Sequence, residues 1–146
     1  MSKIKFGTDG WRAIIADDFT VENVKRVAYA TALWLKDNFE NPSAVVGCDP
    51  RFAGPLFADT TTCVLASQGV KVFRAENLFV STPMISLGTV RKGASAGIII
   101  TASHNPPAYN GYKVYWGNGA QIIPPHACLV VTAHAVVGVG HGRCAR

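Results

Sequence analysis

Ala96-Gly97-Ile98-Ile99-Ile100-Thr101-Ala102-Ser103-His104-Asn105-Pro106-Pro107 is the stretch on which the fold is read. It opens with an apolar run ending in consecutive isoleucines. An unbroken run of this kind marks a strand buried on both faces, as in a parallel sheet. Polar and turn-forming residues then take over. Asn105-Pro106 favours a turn, because the proline ring disfavours the helical conformation at the residue before it. Ser103 is thereby held in a stiff loop at the carboxyl end of a central strand, where open α/β sheets bind ligands. A hydroxyl there, with the His104 imidazole next in sequence, is a candidate nucleophile or phosphate carrier. The plainer alternative is a polar turn between two strands.

Working back from that strand, Thr82-Pro83 reads as a cap and first-turn proline of a helix that Gly93 ends. Val70–Arg74 alternates and reads as a strand. Pro55 and Gly69 bracket a second helix, with Leu56, Phe57, Thr60, Val64 and Leu65 as its inner face. Ala44–Cys48 reads as a buried strand, followed by the polar turn Asp49-Pro50-Arg51. Thr20 can cap a helix from Val21, whose Val24, Val27, Ala28, Thr31 and Leu35 keep the i, i+3, i+4 spacing, with Trp34 widening the stripe. Glu22 can pair with Lys25 and Arg26 one turn on, and Asn41-Pro42 ends this helix. Ala13–Ala16 is a short strand after the glycine-containing opening Phe6–Arg12. Beyond the serine loop, Tyr112–Tyr115 is the last strand. The order β-α-β-α-β-α-β-β with short links predicts the α/β class: a three-layer α/β/α domain with a small mixed, mostly parallel sheet. No internal repeat or linker divides it.

Of the 146 residues, 49% are hydrophobic and 16% charged, which suits one domain with a core rather than a disordered chain. No apolar run is long enough to span a membrane. Met1–Lys5 lacks the apolar stretch of a signal peptide. The four cysteines never form C-x-x-C, and Cys48 and Cys63, in apolar segments, read as buried thiols. Asn41-Pro42-Ser43 is excluded as a glycosylation site by its proline. These features point to the cytoplasm, with no membrane partner. The nine acidic residues all lie between Asp9 and Glu76, and residues 77–146 hold five basic residues and no acid, the whole of the +5 net charge. A basic half suits an anionic ligand, whether sugar phosphate or nucleic acid. It also leaves that half without a carboxylate for a metal or a general base.

Thr101–Pro107 resembles the phosphoserine loop of the α-D-phosphohexomutases, the phosphoglucomutase/phosphomannomutase family. Phe6-Gly7-Thr8-Asp9-Gly10-Trp11-Arg12 resembles that family's N-terminal motif, and Gly47-Cys48-Asp49-Pro50-Arg51 its G-x-D-x-R segment. Asn110-Gly111-Tyr112-Lys113 stands where the family has N-G-[YF]-K. The matches fall in the right order and cover the first of the family's four domains. The resemblance implies an intramolecular phosphotransferase, an isomerase moving a phosphoryl group between O1 and O6 of a hexose. On it, Ser103 is the phosphoryl carrier, Arg12, His104 and Lys113 act with it in catalysis, and Arg12, Asn105 and Lys113 bind the phosphate. A phosphate oxygen on Ser103 would ligate Mg²⁺, with a hexose 1,6-bisphosphate as activator and a hexose phosphate as substrate. The long opening motif, running on to Ile15, points to glucose or mannose phosphates over amino sugars. The residue types fit, since phosphoryl transfer asks mainly for alignment and positive charge. Arg presents a fork that matches phosphate, and Lys a point charge.

The chain departs from the family in two respects. No aspartate follows Asp59, so the D-x-D-x-D metal loop and domains II–IV have no counterpart, and the expectation is a truncated form inactive alone. Residues 1–126 follow domain I. Residues 127–146 have no acid and no lysine where the family has a mixed-charge helix, and are expected to be an aberrant, weakly ordered tail. An alternative for that tail is a zinc site from Cys128, His134, His141 and Cys144. The alternative function is a non-catalytic α/β module binding polyanions or nucleic acid, although its basic residues are dispersed rather than striped. The mutase reading expects no nucleic-acid partner.

Overall fold

The computed structural model describes residues 4–75 and 79–123. The expectations for residues 127–146, weak order and the zinc site alike, lie outside the described residues. In chain order the elements are β1 (Trp11–Ile14), α1 (Val21–Asn38), β2 (Ser43–Cys48), α2 (Gly54–Ser67), β3 (Lys71–Arg74), α3 (Thr82–Lys92), β4 (Ala96–Ile100) and β5 (Tyr109–Trp116).

β4 is buried along its whole length and lies at the centre of a five-stranded sheet ordered β1-β5-β4-β2-β3. β2 runs parallel to both β4 and β3, while β5 runs antiparallel to β4 and to β1. β5 is therefore the one reversed strand, and the sheet is mixed but mostly parallel in direction, as expected. Side chains alternate along a strand, so β4 serves two cores. Ile98 and Ile100 pack with Val46, Tyr112, Val24 and Leu35 of α1, and Phe57 and Leu65 of α2. Ile99 packs with Val45, Tyr115 and Ile85 of α3 on the opposite face. Helices α1 and α2 thus cover one face and α3 the other, which makes the three layers. Each fully buried isoleucine contributes about 1.5–3 kcal/mol. The strand that ends at the serine loop is for this reason well anchored.

Local signals account for some of the helix ends. The Thr20 hydroxyl accepts a hydrogen bond from the Asn23 N–H at 3.2 Å. All of Val24, Val27, Ala28, Thr31 and Leu35 are buried. Glu22 pairs with Lys25 at 3.9 Å. Gly93 takes a left-handed conformation at the end of α3.

Other boundaries differ from the sequence reading, those of β1 and β5 for a tertiary reason. β1 begins at Trp11 rather than Ala13, because Trp11 pairs with Tyr112 and stacks on Phe19 at 4.6 Å. It stops before Ala16, whose φ of 69° cannot continue a strand. β5 extends over Tyr109–Trp116, because its first half pairs with β1 and its second with β4. α1 ends at Asn38, ahead of Asn41-Pro42 as expected. Ser81, not Thr82, occupies the cap position of α3. The inner face of α2 is Phe57, Ala58, Thr61 and Leu65, while Leu56 is exposed. Thr61 tolerates burial by donating its hydroxyl to the Phe57 carbonyl at 2.9 Å. Cys48 is a buried thiol as expected, but Cys63 is only half-buried. Among the described residues no helix is long and apolar enough to cross a membrane.

Candidate active site

Thr101 and Ala102 are still buried when the chain leaves β4, and Ser103 and His104 are exposed. Ser103 has φ of 56°, the left-handed region. A side chain crowds the backbone there, so a serine stays only where its surroundings hold it. The Ser103 N–H donates to the Thr101 hydroxyl oxygen at 3.0 Å. The Thr101 hydroxyl in turn donates to Asp49 Oδ2. Asp49 Oδ1 accepts the Arg51 backbone N–H at 3.1 Å, and Oδ2 lies 3.5 Å from Arg51 Nε. Arg51 Nη2 donates to the carbonyls of Ser103 at 2.7 Å and Asn105 at 2.6 Å. Its Nη1 donates to those of Pro106 and Tyr109, both at 3.0 Å. One guanidinium thus clasps the whole loop. His104 Nδ1 lies 3.5 Å from Ser103 Oγ, the long end of hydrogen-bond reach.

A second cluster adjoins this loop through Asn105. Arg12, on β1, donates from Nη1 to Asn105 Oδ1 at 2.7 Å. Its Nη2 pairs with Asp9 Oδ2. Lys113, on β5, donates to Asp9 Oδ1 at 2.7 Å. Gln121 donates to the same oxygen at 3.0 Å. One carboxylate therefore faces two cations, and the cluster keeps net positive charge suited to a phosphate. Burial lowers the pKa of Lys113 below its ordinary range, and the adjacent Arg12 charge adds to the effect. Arg12 Nε is buried and has no acceptor among the described residues. The strands come together here because position 111 is glycine. A Cβ on Gly111 would stand 2.4 Å from the Thr101 carbonyl oxygen and 2.9 Å from that of Trp11.

The expected residues are accordingly joined in two groups. Arg12, Asn105 and Lys113 are linked through Asp9 and Arg12, and Ser103 and His104 are neighbours on the clasped loop. Sequence reasoning assigns no role to Asp9, Asp49, Arg51 or Gln121. The first three sit inside the motifs quoted above, so the motifs are the available signal; their partners are not readable from it.

An octahedral Mg²⁺ wants six ligands, mostly oxygen. Asp9 is taken up by Arg12, Lys113 and Gln121, and Asp49 by Thr101 and Arg51. Among the described residues no three His, Cys, Asp or Glu side chains gather to hold a metal. The described residues of the loop offer such an ion the side chain of Ser103 and do not by themselves complete a site.

Known proteins share the sequence and fold of this chain. The family model "Phosphoglucomutase/phosphomannomutase, alpha/beta/alpha domain I" matches residues 3–134. The chain is 42% identical over 131 residues to the phosphoribomutase of Saccharomyces cerevisiae, covering 86% of this chain and 21% of that protein. It is 40% identical over 124 residues to the phosphoglucomutase of Staphylococcus haemolyticus, covering 83% and 22% respectively. The chain thus spans about a fifth of the length of these curated relatives. A solved structure from Thermus thermophilus, described as a phosphomannomutase, superposes with TM-score 0.86 at 34% identity, over 91% of this chain and 30% of that one. A phosphoglucomutase/phosphomannomutase family protein from Burkholderia thailandensis shares the fold, with TM-score 0.76 at 23% identity over 89% and 30%. With the serine loop and its clasp adjoining the paired cations through Asn105, the chain belongs to the phosphoglucomutase/phosphomannomutase family and forms its α/β/α domain I.

Proposed function

We propose that this chain is the phosphoryl-carrying domain of a cytoplasmic sugar-phosphate mutase, with Ser103 as the carrier. The observation that supports this most is the exposed Ser103 hydroxyl, held out by a left-handed backbone at the end of β4 with His104 beside it. In the transfer, the bond from phosphorus to Ser103 Oγ breaks as one to a sugar hydroxyl oxygen forms. His104 takes the proton from that hydroxyl and returns it to Oγ. The bisphosphorylated sugar then gives its other phosphate back to Ser103 by the reverse course. Arg12 and Lys113 lay positive charge against the moving group, and Asn105 keeps Arg12 at the loop. Mg²⁺ would bind an oxygen of the phosphate on Ser103, its carboxylate ligands coming from a D-x-D-x-D loop of the kind found in domain II. The substrates are hexose 1- and 6-phosphates, of glucose or mannose. The phosphoribomutase relative makes a pentose phosphate the competing choice.

The polyanion-binding alternative has less support, because the basic residues of the second half are dispersed rather than gathered in a stripe. Incubation with glucose 1,6-bisphosphate and Mg²⁺, followed by peptide mapping, tests the proposal. Phosphate is expected on Ser103 and nowhere else. Phosphate still present in Ser103→Ala would overturn the assignment.

A further inference from the structure

We infer that Arg51 is the positioning residue of the transfer: it sets Ser103 without touching the phosphate. For its catalytic consequence this rests on Ser103 being the phosphoryl acceptor. The donor count carries the argument. A guanidinium has five N–H groups. Two on Nη1 go to the Pro106 and Tyr109 carbonyls, two on Nη2 to those of Ser103 and Asn105, and Nε faces Asp49. Nothing is left over for a substrate, although Arg51 stands in contact with the reactive residue's own backbone.

The clasp acts on a residue whose backbone is strained. The N–H of Ser103 is held by Thr101, and its carbonyl by Arg51. Both holds end on the same carboxylate, Asp49. The peptide groups on either side of Ser103 are thereby tied to β2's terminal turn, and the left-handed conformation is determined from both sides. The clasp also serves the chemistry electrostatically. The loop carbonyls would repel a phosphate dianion if turned towards it; here they are engaged by a cation. Lysine cannot replace arginine in this role, since a single ammonium cannot reach four carbonyls in a fork.

The test uses the full 146-residue chain. Transfer of phosphate from glucose 1,6-bisphosphate to Ser103, with Mg²⁺, is followed in the parent chain, Arg51→Lys, Arg51→Ala and Thr101→Val. In Arg51→Lys the saturating rate should fall about 100-fold, the scale of misplacing a reacting group by an ångström. The half-saturating concentration of bisphosphate should not move. In parallel, NMR reads the Ser103 HN–Hα coupling and amide exchange, which should change in Arg51→Lys while β4 amides stay protected. A parent-like rate in Arg51→Lys overturns the inference. So does a raised half-saturating concentration at an unchanged rate, which would make Arg51 a phosphate ligand. An unaltered Ser103 backbone overturns it too. If Arg51→Ala does not fold, Arg51→Lys decides. If the parent chain takes no phosphate at all, the functional reading fails, and the NMR arm separately decides whether Arg51 sets the loop.

Discussion

Asp9 and Lys113 are 104 positions apart in the chain and meet at 2.7 Å. The contact exists because β5 runs between β1 and β4, so that the opening motif lies beside the segment after the serine loop. Asp9 also pairs with Arg12, and so holds both cations of the site. Asp9→Asn should leave the Lys113 ammonium, 6% exposed, without its anion. Stability should fall by about 1–3 kcal/mol, the cost of an unpaired buried charged group. Urea unfolding at neutral pH checks this. The loss should shrink in a Lys113→Met background, since the two positions form one interaction.

The buried titratable groups of β5 set opposite pH dependences. Desolvation lowers the Lys113 pKa below 10.5, so between the lowered value and 10.5 the unfolded chain binds more protons, and this group's contribution to stability rises with pH. Desolvation raises the Tyr112 phenol above 10.0, so past that value the unfolded chain loses the proton first, and stability falls as pH rises. Tyr112→Phe should flatten the fall above pH 10.0. Urea midpoints measured from neutral to strongly alkaline pH give the comparison; an equally steep fall in the variant would contradict it.

Backbone strain at Ser103 should be visible in a pair of variants. Its φ of 56° costs a residue with a Cβ, and glycine escapes the cost. Ser103→Gly should be more stable than Ser103→Ala by about 1 kcal/mol. Both remove the hydroxyl, so neither should accept phosphate. Equal thermal midpoints would mean that the loop relaxes without penalty.

Gly111→Ala should be severely destabilising. The added methyl would meet backbone carbonyls of Thr101 and Trp11 at 2.4 and 2.9 Å, and backbone cannot rotate away. A loss of about 3 kcal/mol is expected, the upper range for overpacking. Gly69→Ala is the contrast, because a Cβ there meets nothing within 4 Å and only the positive φ opposes it. Circular dichroism melts of the two variants should rank them in that order.

The chain alone should accept phosphate yet show no measurable turnover of glucose 1-phosphate to glucose 6-phosphate. Its described residues gather no set of three metal-binding side chains around the Ser103 hydroxyl. Losing alignment and metal charge together removes many decades of rate, each decade being about 1.4 kcal/mol. A coupled assay with activator and Mg²⁺ measures this. Turnover that disappears in Ser103→Ala would show that the domain needs less help than its ligand set implies.

Local chemistry decided much of this molecule in advance. The run Ala96–Ile100 has the pattern of an interior strand, Thr20 and Gly93 mark helix ends through their own side chain or lack of one, and Asn105-Pro106 stiffens the loop that bears Ser103. These are effects of neighbours in sequence, so they survive reading without a structure, and so do the motifs that hold Arg12, His104, Asn105 and Lys113. What only the tertiary structure decided is which distant groups meet. The inner face of α2 departs from the sequence reading because Ala58 and Thr61 are buried by α1 and the sheet, against what their size and polarity suggest. β1 and β5 have limits that their own residues do not mark, because strand ends follow from their partners. The clasp of Arg51 on the serine loop, 52 to 58 positions away, and the sharing of Asp9 by Arg12 and Lys113 depend on the order in which strands lie side by side. Hydrogen bonds and ion pairs act through space over a few ångströms, and a sequence has no distances until the sheet closes.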